Sequence, residues 1–246
     1  MYFLASRLAL IFLAMTRNYI RSTGGNQPLV LAGLLLAMVF PAAAQSPAPA
    51  PAPPGANRWS TNWSALFDGK SLTNWAVTDF AGHGPVTVEA EQIKIAMGDD
   101  LAGINWTNGP LPKTDYEISL DAIKVAGGDF FCGLTFPVAD SSCSLIVGGW
   151  GGGVVGLSSL DGQDASENET TRSMYLETGH WYHIVLRVTP KKIEAWLDKD
   201  KIVDASIDGR KVSLRAGPIS MSEPLGVATY STTAKLKNFQ LRLIEH

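Results

Sequence analysis

The sequence predicts an all-β fold, a two-sheet antiparallel β-sandwich, and three observations predict it. Apolar and polar residues alternate along much of the chain beyond residue 57. The apolar runs are short and are bounded by Gly, Pro, Asn or Asp. No stretch of this region carries an amphipathic helical stripe longer than about two turns. About a dozen strands in one chain make two packed sheets the natural arrangement.

The residues before the domain have a different character. Arg17 and Arg21 precede an apolar run from Leu29 to Phe40, and Ala42-x-Ala44 supplies the small residues of a cleavage site. Residues 1–44 therefore read as a signal segment cleaved after Ala44, with Met15 as the candidate initiator. The earlier run LALIFLA is too short to span a bilayer comfortably; a membrane anchor is the competing reading. Cleavage would leave a periplasmic or secreted protein with no stable membrane insertion. Residues 45–56, rich in Pro and Ala, form a stiff extended linker, and residues 57–246 form the domain.

Composition narrows the partners. A formal charge of −3 without clustered Lys and Arg excludes a nucleic-acid surface. Seven tryptophans against two cysteines fit a β-rich core, not a disulfide-stapled miniprotein.

In chain order, apolar runs at 86–96 and 101–106 read as strands, and Tyr116–Ala122 alternates cleanly. Runs at 129–138 and 143–149 carry Cys132 and Cys143. Export permits a disulfide between them if they are directly opposed, and otherwise they are buried thiols. A run at 153–160 follows the glycines of GGWGGGVVG (148–156). Residues 181–188 and 193–198 flank Thr189–Lys192 as a hairpin. Pairing Val188 with Ile193 puts Ile184, Leu186, Val188, Ile193, Ala195 and Leu197 on one apolar face. The other face carries Trp181, His183, Arg187, Glu194, Trp196 and Asp198, with Arg187 opposite Glu194 and His183 opposite Asp198. Indoles beside carboxylates, Arg and His suit a sugar, whose apolar face stacks on rings while its hydroxyls seek planar polar partners; an ordinary solvated face is the alternative. Runs at 225–230 and 239–243 complete the set.

The glycine stretch contains Gly151-x-Gly153-x-x-Gly156, the spacing of a dinucleotide loop. That loop must open a helix, and here another β-like run follows, so the match is accidental. Nucleophile-elbow, zinc and Walker signatures are missing from the sequence. Asp161, Asp164, Glu167, Asn168 and Glu169 offer hard oxygen atoms, with Asp161, Asp164 and Glu169 as the candidate ligands for Ca2+ or another divalent cation. Asn168-Glu-Thr170 is also a glycosylation sequon.

The segment WSALFDGKSLTNW, Trp63–Trp75, resembles the opening of the 3-keto-disaccharide hydrolase domain family. Tyr116-Glu-Ile with Asp121, Gly179-His-Trp-Tyr182, Ile193-Glu-Ala-Trp-Leu-Asp198 and Leu236-Lys-Asn-Phe-Gln-Leu-Arg242 are similar to its later strands, so the resemblance spans 59–244. It implies a concanavalin A-like jelly roll, an exported protein, and carbohydrate as the ligand. Some members cleave glycosides already oxidised to a ketone at C3.

Such a substrate sets the chemistry. The ketone acidifies the C2 hydrogen, so the glycosidic oxygen can leave by elimination, with water adding afterwards. This needs a base near C2, a cation for the enolate oxygen and an acid for the leaving oxygen. His183 is the candidate base by intrinsic pKa, oriented by Asp198, while Asp161 and Glu167 are candidate acids or second bases. Arg172 and Arg187 are candidate enolate partners, and Trp150 and Trp196 candidate sugar platforms. A non-catalytic carbohydrate-binding module is the alternative.

Overall fold

The computed structural model describes residues 59–245; the signal segment, the linker and residues 57, 58 and 246 lie outside the described residues. Fifteen strands form two antiparallel sheets: β1 (Ser64–Ala65), β2 (Trp75–Val77), β3 (Val86–Glu89), β4 (Gln92–Ile95), β5 (Leu101–Trp106), β6 (Tyr116–Gly127), β7 (Cys132–Val138), β8 (Ser141–Gly148), β9 (Val154–Ser158), β10 (Arg172–Ser173), β11 (Trp181–Val188), β12 (Lys192–Leu197), β13 (Asp200–Ser206), β14 (Gly226–Tyr230) and β15 (Thr232–Leu243). The eight-stranded sheet runs β13-β12-β11-β6-β15-β4-β3, with β1 also on β15. The seven-stranded sheet runs β10-β9-β8-β7-β14-β5-β2. This is the two-sheet sandwich expected from the alternation and the jelly roll implied by the resemblance. Among the described residues no helix is long and apolar enough to cross a membrane.

The two sheets meet over a single main core. Ile118 and Leu120 of β6 and Ile184, Leu186 and Val188 of β11 point inward against Leu134, Phe136, Leu145 and Val147 of the other sheet. Burying one such side chain contributes about 1.5–3 kcal/mol. Val188 pairs with Ile193 and Arg187 with Glu194, so the predicted hairpin register and its apolar face are both present.

The opening motif acts as a structural clasp. Leu66 and Phe67 are buried, and Asp68 accepts the backbone N–H groups of Lys70 and Ser71 at 2.8 Å. Those two bonds hold the Asp68 carboxyl below its ordinary pKa. Trp75 donates its indole N–H to the Leu66 carbonyl at 2.8 Å and packs on Phe239, ring centroids 5.0 Å apart.

Several elements differ from the sequence reading. The run at 86–96 is a hairpin of β3 and β4, because Ala90 and Glu91 both take the left-handed backbone region, φ 51° and 59°. Neither is a residue type that announces such a turn. β13 was not expected, and β15 begins at Thr232 and stays paired to β6 across two bulges. Cys132 pairs with Val147 and Cys143 with Phe136, four residues out of register along β7, so the two remain free thiols. Burial pushes each thiol up to about 12.

Candidate functional site

Glycines shape the outer surface of the seven-stranded sheet. Gly103 on β5, Ala228 on β14 and Gly133 on β7 pair in one row across it. A Cβ on Gly133 would lie 2.9 Å from the Phe130 ring, and one on Gly103 would lie 3.2 Å from the Phe80 ring. The bare backbone is what lets these rings lie against the sheet, where Phe80, Ile219 and Ala228 form a second small apolar cluster with Leu101 and Phe130.

The glycine stretch GGWGGG is the tight connection from β8 to β9, bridged at Gly149 and Val154. Gly148, Gly151 and Gly152 all take left-handed φ, a region glycine enters without steric penalty. Trp150 takes it too, at φ 49°. The turn is tied down by Asp129, whose carboxylate accepts the N–H of Gly151 and of Phe130, each at 2.8 Å. Trp150 is thereby held 43% exposed.

Beside it opens a cavity of about 460 Å³. Trp150, Asp129, Arg215, Phe130, Tyr230 and Ile219 are among the residues lining it. The Arg215 guanidinium lies 5.8 Å from the Trp150 ring centroid and pairs with Asp164 at 3.2 Å. Asp164 also accepts the Ser158 hydroxyl at 2.8 Å. Tyr230 stacks with Phe130 at 5.9 Å, and its hydrogen bond to Asp100 raises the phenol above its ordinary pKa, so it keeps its proton. The cavity thus combines an aromatic platform, a cation, a carboxylate and a phenol whose proton is shared with Asp100.

The loop from 159 to 171 borders this region. Asn168 is 6% exposed, and its side-chain amide donates to the carbonyls of Leu157, Gln163 and Asp164 at 2.7, 3.0 and 2.8 Å. Its oxygen accepts the Thr170 N–H and hydroxyl. Asn168 is therefore a structural pin, with no amide free for a glycan or a cation. Asp161 accepts the Lys211 N–H and an Arg210 N–H, both at 2.8 Å, which hold its carboxyl below the ordinary value. Arg210 also binds Glu169. The candidate cation ligands are thus divided: Asp161 and Glu169 converge on Arg210 while Asp164 turns to Arg215. Among the described residues no group of three or more His, Cys, Asp or Glu is gathered for a metal. Glu167 is exposed on the loop, and Arg172 is exposed on edge strand β10 opposite Val155.

His183, Arg187 and Trp196 lie on the opposite, eight-stranded sheet, so the sequence-predicted residues do not form one site. His183 pairs across the ladder with Asp121, and its Nδ1 meets the Asp121 carboxylate at 2.7 Å. Asp198, the expected orienting group, instead accepts the His183 backbone N–H at 2.8 Å. The reason is position: Asp198 stands in the β12–β13 turn, beyond reach of the ring, whereas Asp121 is the direct neighbour on β6. Asn238, in a left-handed conformation at a β15 bulge, donates to Asp121 at 2.6 Å, and these residues border a second cavity of about 410 Å³. Arg187 is committed to Glu117, a 2% exposed carboxylate that Arg242 clasps from the other side. Trp196 is flanked by Arg187 and Lys201, each 5.2 Å from its ring centroid.

Asp129, Arg215 and Tyr230 were not singled out from sequence. Asp129 follows Gly127-Gly128, and only that turn marked it; Arg215 lies in a loop without periodicity, and Tyr230 ends a run read as core.

The fold is similar to that of the carbohydrate-binding module CBM66 from Bacillus subtilis, at 13% identity over 69% of this chain and 95% of that one, with a TM-score of 0.48. It is also similar to domain 4 of an extracellular arabinanase from Geobacillus stearothermophilus, at 12% identity over 69% of this chain and 82% of that one, with a TM-score of 0.45. No curated protein matches the chain. Residues 62–242 match the 3-keto-alpha-glucoside-1,2-lyase-like domain, and the chain belongs to that family.

Proposed function

We propose that the Trp150 cavity binds a carbohydrate and that the chain, after export through residues 1–44, cleaves 3-keto-glycosides there. The observation that carries this reading is the half-exposed Trp150 ring on the cavity wall with Arg215 5.8 Å from its centroid. A sugar's apolar face stacks on the indole while its oxygens meet the guanidinium.

The residues lining the cavity suit the elimination. Asp129 removes the C2 hydrogen, and the electron pair moves into the ketone to give an enolate on O3, stabilised by Arg215. Collapse of the enolate forms the C1=C2 double bond and breaks the bond from C1 to the leaving oxygen, which takes its proton from Tyr230 as that hydroxyl turns from Asp100 to the substrate. Water then adds at C1 and restores the 3-keto sugar. A second reading, a binding module without catalysis, is favoured by one observation: His183 stands on the other sheet, and among the described residues no histidine lines this cavity.

Incubating the purified chain with a 3-keto-glucoside and its unoxidised parent, with and without chelator, separates the two. Cleavage of the oxidised substrate alone supports the enzyme, and the chelator arm tests the divalent-cation expectation. Retention of both glycosides with cleavage of neither supports the module. Binding of neither removes both readings.

A further inference from the structure

We propose that the glycoside taken by this cavity carries an apolar, ring-sized aglycone in place of a second sugar, an inference that rests on the cavity being the carbohydrate site. The cavity is divided across the sheet. On its β8–β9 side stand Ser144 and Ser158, registered partners, with Arg215 held over them through Asp164. Thr135 and Ser144 share a hydroxyl contact of 2.8 Å, continuing the polar side into β7. On its β14–β5 side the character reverses. Leu101 pairs directly with Tyr230, Phe130 stacks on Tyr230, and Ile219 closes over them from the 3-10 turn Pro218–Ser222.

A second sugar on that side would present hydroxyls to hydrocarbon, and each one left without a partner opposes binding. An aromatic or branched apolar group has its surface matched there by Leu101, Phe130 and Ile219. The Tyr230 ring belongs to the apolar wall, stacked on Phe130, while its hydroxyl is held by Asp100. The glycines of the floor give the same answer, since Gly133 and Gly103 are the residues that admit the Phe130 and Phe80 rings.

The test compares 2-phenylethyl 3-keto-glucosides of both anomers with 3-keto-maltose and 3-keto-cellobiose, using the full domain. The leaving oxygen is an aliphatic alcohol in every case, so differences in kcat/KM report recognition and not leaving-group chemistry. The expected result is at least a tenfold preference for the phenylethyl substrate, narrowed by Leu101→Asn. Equal or greater kcat/KM on the disaccharides overturns the inference while leaving the cavity as the site. If Trp150→Ala leaves the activity on all four substrates unchanged, the cavity reading fails and this inference with it.

Discussion

Trp150 stands in a left-handed backbone conformation, which costs a residue with a side chain about 1 kcal/mol relative to glycine. Nothing in the core needs its half-exposed ring. Trp150→Gly is therefore expected to keep or raise the melting temperature while abolishing carbohydrate affinity. A variant that is destabilised yet binds normally would make the ring structural. The cysteines give a prediction of the opposite kind. Below about pH 9 the thiols are protonated in both states; above it the unfolded chain releases protons that the buried thiols hold until about 12. Their contribution to stability is thus lost as pH rises from about 9. Urea unfolding at pH 8 and 10 should show the loss, a Cys132→Ala/Cys143→Ala variant should lessen it, and a thiol reagent should react only on unfolding.

At the scale of elements, the loop from 159 to 171 explains why carboxylates close in sequence need not form a ligand set. Asn168 fixes the loop from inside, and its side chains are then dealt to Arg210 and Arg215. Asn168→Ala leaves three carbonyls and the Thr170 N–H without their partner, and is expected to cost ~3 kcal/mol in urea unfolding. Because the same loop holds Asp164 on Arg215, sugar affinity should fall with it. Strands with strict alternation, such as β11 and β12, were legible down to register, since one face must be buried. The β3–β4 turn was not, since Ala90 and Glu91 enter a conformation their types do not advertise. The glycine stretch was legible as a strand connection, but its partner Asp129 was not, because it arrives from a loop about twenty residues earlier and its carboxylate accepts a backbone N–H that any residue would offer.

For the whole molecule, the sandwich itself decides which residues can cooperate. Alternation placed His183 on an outer face and the glycine stretch marked Trp150 as a sugar platform, but neither showed that the two stand on different sheets, which depends on long-range pairing. The outer face of the eight-stranded sheet is satisfied largely from within: Glu117 holds Arg187 and Arg242, and Asp121 holds His183 and Asn238. The outer face of the seven-stranded sheet instead has its backbone bared by glycine and its Trp150 ring exposed. The most direct measurement is the rate of product formation from a 3-keto-glucoside by Asp129→Asn, Arg215→Met and His183→Ala variants, each checked for folding by its melting transition. Loss of about 100-fold or more in the first two, with His183→Ala retaining its activity, is the predicted result. Activity lost in His183→Ala and kept in the other two would move the chemistry to the opposite sheet and contradict the account.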